Sequence, residues 1–507
     1  MTLTTFIALS PILIIAAGAV AMIFVDALLQ KSGKTAGSLF RSIHTKGEPP
    51  VDEISYASSI DRALVSATIL GAAAIVSAVL WFGGQLGGVI EIGGALQVDK
   101  LALFGFMLCA LGGSLASLMS SHHLYEIKAD EGQFHPVLML ATCGAMLLCA
   151  SSSFIMFFLA LETMSLGAYI LTGMRRASPR STEGAMKYFL MGAFASAILL
   201  YGLALLYGET GVSSFEAMGK GLAGAGAKPL VMLGGVLVLV GLAFKVSAVP
   251  FHMWTPDAYQ GAPTPATSFM AAVVKTAAFV VMLRFLSVVL TGGILAGPPF
   301  GWASVLAVLA VLTMFWGNMA ALKQKNIKRM LAFSSIAHAG YILIGVVTMH
   351  KAGEAAMAGV LYYLFAYLAA NAGAFAIVCS AVKGGSEATD IDDYRGFGRR
   401  HPLLGAAMGI FLLSMLGMPP LAGFFGKLYI FASAVEHGLW LLAVLGMIAS
   451  VVSAYYYIGV IVVMFMRESE EGKPVAVPVR SGQIIAAILV ALILVLQLGL
   501  YPTPWLR

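Results

Sequence analysis

From Gly241 to Phe279 the chain reads GLAFKVSAVPFHMWTPDAYQGAPTPATSFMAAVVKTAAF, an apolar stretch of membrane-crossing character that is broken in its middle. It holds two lysines, a histidine, an aspartate and four prolines, residues that an uninterrupted membrane helix avoids. Pro250 lacks a backbone donor and disfavours helical geometry at Val249, so the helix bearing Lys245 is expected to end or kink just past that lysine. Non-helical backbone at bilayer depth is tolerated only inside protein or beside water. A lysine next to such a break predicts a site of ion movement, as in the discontinuous helices of transporters.

With 60% hydrophobic residues, 11% charged residues and a mean hydropathy of +0.91, the fold class is all-α and polytopic in a membrane. The longest polar segment, about residues 30–61, is far shorter than the roughly 100 residues of a usual soluble domain. A nucleotide-binding or redox domain therefore has nowhere to sit. The first apolar run, Phe6 to Leu29, has no basic residue before it and exceeds the roughly 7–15 apolar residues of a signal peptide, so it reads as a retained span. The four cysteines, Cys109, Cys143, Cys149 and Cys379, lie in apolar runs without CxxC spacing and read as small buried hydrophobes; neither metal nor iron–sulfur ligation is expected.

At roughly 20 apolar residues per span, the chain divides into about fourteen helices. Two are interrupted, one at Pro250 and one at Pro419 in FLLSMLGMPPLAGFFGKLYIFASAV. They stand seventh and twelfth in order, and a repeat of five helices would place them in opposite orientations. The expected division is an N-terminal three-helix segment (1–130), two inverted five-helix repeats (131–292 and 293–467) and a last helix within 468–507. The narrowest junction is Ala150 to Ser153, between the fourth and fifth spans.

Basic residues orient this arrangement. Five of the 30 lysines and arginines fall within spans, and only Lys100, Lys220, Lys228, Lys351 and Arg507 fall in outer loops if the N-terminus faces outward. The others, Lys34, Arg41, Lys46, Lys128, Lys473 and Arg480 among them, fall in inner loops, as the positive-inside rule requires. Both termini are then expected to face outward. The net charge of +6 follows from these loops, and a nucleic-acid partner is not expected.

The cations within spans are Lys187, Lys245, Lys275, Arg284 and Lys427. Lys187 and Arg284 lie near helix ends, where a long side chain can snorkel to the headgroups, although Lys187 is equally placed for function. Lys275 is near mid-span, where a charge costs at least ~2.5–3.5 kcal/mol. With Lys245 and Lys427 it is a candidate for proton transfer. Glu162 lies midway along FIMFFLALETMSLGAYIL, whereas Asp26 reads as interfacial. A buried carboxylate and a buried ammonium stabilise one another's charged forms, so a lysine near Glu162 can load and release a proton as its partner moves. Ser334, Ser335 and His338, in AFSSIAHAGY, share one helical face. That face fits a hydrated path and fits interhelical hydrogen bonding equally well.

The run around Pro250, the glutamate of LALETMSL, the lysine of AMKYFLMG and the segment SSIAHAGYIL together resemble the antiporter-like membrane subunits of respiratory complex I, the proton-translocating NADH-quinone oxidoreductase. MPPLAGFFGKLYIF, with Lys427, and DDYRGFGRRHP most resemble its subunit N group; subunit M usually has glutamate at the Lys427 position, and subunit L usually continues into a long lateral helix. Residues 1–130 carry the resemblance least. It implies a proton carrier without cofactors of its own, with FMN, iron–sulfur clusters and quinone in partner subunits of a bacterial inner-membrane complex. The implied partners are subunit M, the small membrane subunits and the lipid bilayer. Glu162 would pair with Lys245, Lys187 and Lys275 would relay protons inward, His338 would lie on the hydrated axis, and Lys427 would connect the second half to the outside. His252 would support the first break. Two other readings stay open: a subunit of a multisubunit cation/proton antiporter, and a structural subunit whose charges only hold helices together.

Overall fold

The computed structural model describes residues 2–31, 51–84, 88–127, 131–225, 228–291, 301–384, 386–468, 475–479 and 481–506. Of the loop cations that oriented the chain, Lys34, Arg41, Lys46, Lys128, Lys473, Arg480 and Arg507 lie outside the described residues. Among the described residues, 12 helices are long and apolar enough to cross a membrane. Two shorter apolar helices, Pro229–Lys245 and Pro402–Leu416, are the first halves of the interrupted spans.

Local chemistry sets the helix ends. Asp99, Ser153, Asn326 and Ser481 each accept a backbone N–H from the first turn of the helix they precede. Proline opens the Pro179–Thr210, Pro229–Lys245 and Pro402–Leu416 helices, where its missing N–H is harmless. The narrow junction is a true break: one helix ends at Ala150, the next starts at Phe154, and Ser151 and Ser153 bridge to Leu96 and Ser214. Sequence periodicity did not reveal the Ile90–Ile92/Leu96–Val98 hairpin, nor the small sheet in which Ala381–Lys383 pairs with Ser386–Glu387 and Val477–Pro478.

Both interruptions lie where the prolines placed them. The first helix stops at Lys245, and Trp254–Gly261 resumes it after residues 246–253. Inside that gap the Val249 N–H donates to the Thr313 hydroxyl at 2.9 Å and the Trp254 indole donates to the Phe244 carbonyl at 3.2 Å, so the freed backbone is satisfied by protein. The second helix stops at Leu416 and resumes as Ala422–Glu436, with Gly417 at φ 94°, a conformation suited to glycine. The Val249–Pro250 and Pro419–Pro420 peptide bonds are cis.

The hub of the fold is formed by Thr264–Val288 and Ile327–Ala352, whose apolar stretches are wholly buried, with Glu354–Ser380 and Lys100–Glu126 beside them. Helices such as Pro179–Thr210 and Trp440–Met466 surround this hub and present large apolar side chains outward, among them Phe194 and Tyr455. A helix apolar on every face belongs in such a hub or in lipid. Lys275 and His338 are thereby buried in the hub.

Candidate proton-transfer site

Among the buried ionisable side chains of the interrupted spans and the hub are Lys245 at 1% exposure, Lys275 at 2%, His338 at 3% and Lys427 at 6%. No carboxylate forms an ion pair with any of these lysines among the described residues. Hydroxyls and backbone carbonyls surround them instead.

Lys245 is the last residue of its half-helix and donates to the Ser165 hydroxyl at 2.7 Å and the Tyr169 hydroxyl at 3.2 Å. Glu162, Ser165 and Tyr169 recur at three and then four residues, so they share one face of Phe154–Thr172. The structure therefore brings Lys245 to the Glu162 face without direct contact between the two charges. One carboxylate oxygen of Glu162, Oε1, is buried with no hydrogen-bond partner in the protein. Gly192 makes room for the phenol, since a Cβ there would lie 2.0 Å from the Tyr169 hydroxyl.

In the hub, Lys275 donates to the Ser335 carbonyl at 2.7 Å and the Ser335 hydroxyl at 2.5 Å. The turn just before it, Met270–Val274, is π-helical, a local widening often found at functional sites. His338 is held at both ring nitrogens, Nδ1 by the Tyr363 hydroxyl at 2.7 Å and Nε2 by the Tyr457 hydroxyl at 3.0 Å. Tyr457 also bonds Ser334. The polar face of Ile327–Ala352 thus divides: Ser335 serves Lys275, while Ser334 and His338 serve Tyr457. Polar contacts continue outward, because Tyr456 donates to Asn318 Oδ1 at 2.9 Å and Asn318 donates to the Tyr341 hydroxyl at 2.9 Å.

Lys427 completes the row. Its ammonium donates to the Leu416 carbonyl at 2.8 Å and the Ser450 hydroxyl at 2.7 Å, and lies 4.8 Å from the centre of the Tyr341 ring. Leu416 is the last residue of the half-helix, so the cation meets the negative end of the helix dipole. The second interruption holds this geometry by close packing. A Cβ on Gly423 would stand 1.9 Å from the Ser414 carbonyl oxygen. Gly423→Ala is therefore expected to push the two half-helices apart and to cost about 1–3 kcal/mol. Thermal inactivation of the purified complex measures this, with Gly409→Ala as the control because a Cβ there meets nothing within 4 Å beyond its own helical backbone. Equal midpoints for the two variants would contradict the packing argument.

Lys187 stands apart from the buried row. It is 44% exposed and pairs with Glu183 at 2.6 Å and with Asp257 at 2.8 Å. The other oxygen of Asp257 accepts from Arg329 at 2.5 Å, so one carboxylate of the resumed half-helix joins the Lys187 helix to the His338 helix. His252 lies in the first interruption, edge-on to Trp316, with Nδ1 lacking a partner.

Snorkelling is corrected for Arg284, which is 3% exposed. Both of its terminal nitrogens donate to Asp99 at 2.7 Å, and it also reaches the Cys149 carbonyl at 3.2 Å. A carboxylate at the far end of another helix makes burial cheaper than reaching for the headgroups. Asp26 pairs with Arg62 at 3.0 Å. Another cluster joins Glu387 to His123 at 2.5 Å and to Lys328 at 3.2 Å. Burial alone would push the Glu387 carboxyl up; Lys328 and His123 outweigh it and hold the group well below the usual carboxylate range. The tyrosines at 169, 341, 363 and 457, which contact Lys245, His338 and Lys427, were not singled out from the sequence, and their signal was a phenol at bilayer depth.

Comparison with known proteins follows the same lines. Residues 151–453 match the family described as NADH:quinone oxidoreductase/Mrp antiporter, TM. NADH-quinone oxidoreductase subunit N 1 of Sorangium cellulosum is 46% identical over 99% of this chain and 97% of its own length. The subunit N of Trichlorobacter lovleyi is 41% identical over 79% of this chain and 83% of its own length. A chain of respiratory complex I from Thermus thermophilus superposes with a TM-score of 0.76 at 34% identity, covering 98% of each chain. A chain of the Mrp complex from Dietzia sp. DQ12-45-1b gives a TM-score of 0.81 at 20% identity over 100% of this chain and 96% of its own, which is a likeness of fold alone.

Proposed function

The chain belongs to the NADH-quinone oxidoreductase subunit N family, and from that premise we propose that its buried lysines and histidine form the path along which this membrane-arm subunit translocates protons. The observation that carries the reading is the row Lys245, Lys275, His338 and Lys427, each buried and each held by hydroxyls or carbonyls rather than by a fixed counter-ion. Hydroxyl groups donate and accept alternately, so they can pass a proton on while a lysine stores it.

In this reading Lys245 stores a proton in the first half, and Glu162, on the same face as the lysine's two hydroxyl partners, sets how tightly it is held. Lys187 exchanges with this half through Asp257. Lys275 and Ser335 carry charge into the hub, His338 passes it between Tyr363 and Tyr457 with Ser334 beside it, and Lys427 delivers it at the second interruption. Pro250 supplies the break that leaves Lys245 at a helix end, Pro419 the break that turns the last carbonyl of the preceding half-helix, Leu416, toward Lys427, and His252 supports the first. The two halves act as inverted repeats over 131–292 and 293–467, flanked by 1–130 and 468–507. Redox chemistry, with FMN, iron–sulfur clusters and quinone, lies in partner subunits, and this subunit sits beside subunit M and the small membrane subunits. The complex occupies a bacterial inner membrane, with both termini of this chain facing outward.

Lys427→Met in an assembled complex is expected to lower protons pumped per NADH and to slow turnover several-fold. Wild-type pumping and turnover in that variant, with assembly verified, would sink the assignment of Lys427. Sodium transport without NADH oxidation would favour the cation/proton antiporter reading instead.

A further inference from the structure

Where Lys100–Glu126 and Glu354–Ser380 begin and Thr264–Val288 ends, the chain forms an open-sided pocket of about 530 Å³, within the usual range of ligand sites. Trp81, Phe104, Leu361 and Trp505 line its apolar side, and the two indoles stack at 6.2 Å. The Asp99–Arg284 pair also lines it, with its charges already spent on each other. Two further charges face the same space: Lys100 and Glu354. Neither forms an ion pair among the described residues.

Their positions are informative. Lys100 is the first residue of its helix, at the positive end of the dipole, where a cation is disfavoured, and the carboxylate that caps that end, Asp99, is already engaged by Arg284. Glu354 is the first residue of its own helix, suited to the dipole but left with an unshared negative charge beside the cavity. Tryptophans gather at the level of lipid headgroups, where one side of the ring is apolar and the other wet. One ligand meets all of these demands. It carries an anionic group for Lys100, a hydrogen-bonding cation for Glu354, and an apolar tail for the aromatic wall.

We propose that this cavity binds a zwitterionic phospholipid with a primary amine. Its phosphodiester accepts from the Lys100 ammonium, its ammonium donates to the Glu354 carboxylate, and the start of an acyl chain lies along Trp81, Phe104 and Leu361. An anionic glycerol headgroup would satisfy Lys100 but offer Glu354 only neutral hydroxyls, leaving its charge without a cation. A quaternary choline headgroup has no N–H to donate to Glu354. The site is therefore selective for the amine.

The test uses the complete complex, stripped of lipid and reconstituted in nanodiscs of phosphatidylethanolamine, phosphatidylcholine or phosphatidylglycerol, with retained lipid counted by native mass spectrometry. The wild type is expected to retain about one more ethanolamine lipid per complex than Lys100→Gln or Glu354→Gln, with no such difference for the other two lipids. Ala358→Leu, which fills the cavity and leaves both charged side chains in place, should lose the same lipid and guards against an effect of charge on assembly. Equal retention of ethanolamine lipid by the wild type and all three variants overturns the proposal. So does a loss that is equal for all three lipids, which would mark a groove that recognises acyl chains alone.

Discussion

In a complex whose assembly is verified, Lys245→Ala is expected to cut coupled proton pumping about tenfold or more, corresponding to a loss of at least ~1.4 kcal/mol in the rate-determining step. Lys245 is the ionisable group at the end of the first half-helix, and alanine leaves nothing there that can hold a proton. Two hydroxyls, from Ser165 and Tyr169, lose their donor at the same time. Ser165→Ala separates these effects. It removes one acceptor but leaves both the amine and Tyr169, so a smaller fall is expected, roughly two- to fivefold, or about 0.4–1 kcal/mol. Pumping and NADH–quinone turnover are measured together in sealed membranes. If both stay at wild-type levels in Lys245→Ala, the lysine is structural and the path drawn through the first half fails.

Arg284→Ala is expected to destabilise the chain by about 3–5 kcal/mol, the usual cost of removing one partner from a buried pair. Asp99 would lose two charge-assisted bonds and the Cys149 carbonyl would lose its donor. The pH dependence gives an independent sign. Burial pushes the Asp99 carboxyl up, but the bond and charge of Arg284 overcome this and hold it below its ordinary value. In the wild type, Asp99 therefore adds stability above the unfolded carboxyl pKa of about 3.9, and that stability is lost as pH falls through the lower folded value. Without Arg284, burial dominates and the sign reverses: mild acid should recover part of the loss in the variant, whereas the wild type is weakened through Asp99 only below about pH 3.9. Thermal midpoints of the two proteins across acidic pH give the comparison. Parallel curves would show that Asp99 does not depend on Arg284.

The parts of this site that were legible in the sequence are those whose cost is independent of packing. A lysine in the middle of an apolar run is expensive whatever surrounds it, and two prolines after a helix break it whatever follows. Lys245, Lys275, Lys427 and both interruptions were therefore visible at once. The break between Ala150 and Phe154 was visible as a narrow polar gap. Partners were not visible, because they are set by packing between distant segments: Tyr457 lies 119 residues from His338 in sequence. The difference between Lys187 and Arg284 was hidden for the same reason. Both lie near helix ends, yet Lys187 is half exposed among Glu183 and Asp257, whereas Arg284 is sealed against Asp99. The π-helical turn before Lys275 has no residue signature at all, since MAAVV suits any apolar helix.

Lys427 rests on the Leu416 carbonyl and Lys275 on the Ser335 carbonyl. These acceptors belong to the peptide, so every one of the twenty natural amino acids supplies them. Codon-level mutagenesis, however exhaustive, walks past them and credits their share of proton affinity to neighbouring side chains. Replacing single amide linkages by esters, by semisynthesis or suppressor translation of hydroxy acids, would weaken a chosen carbonyl while leaving every side chain in place. The main chain would then become the variable, and the grip of the protein on its protons could be measured where that grip originates.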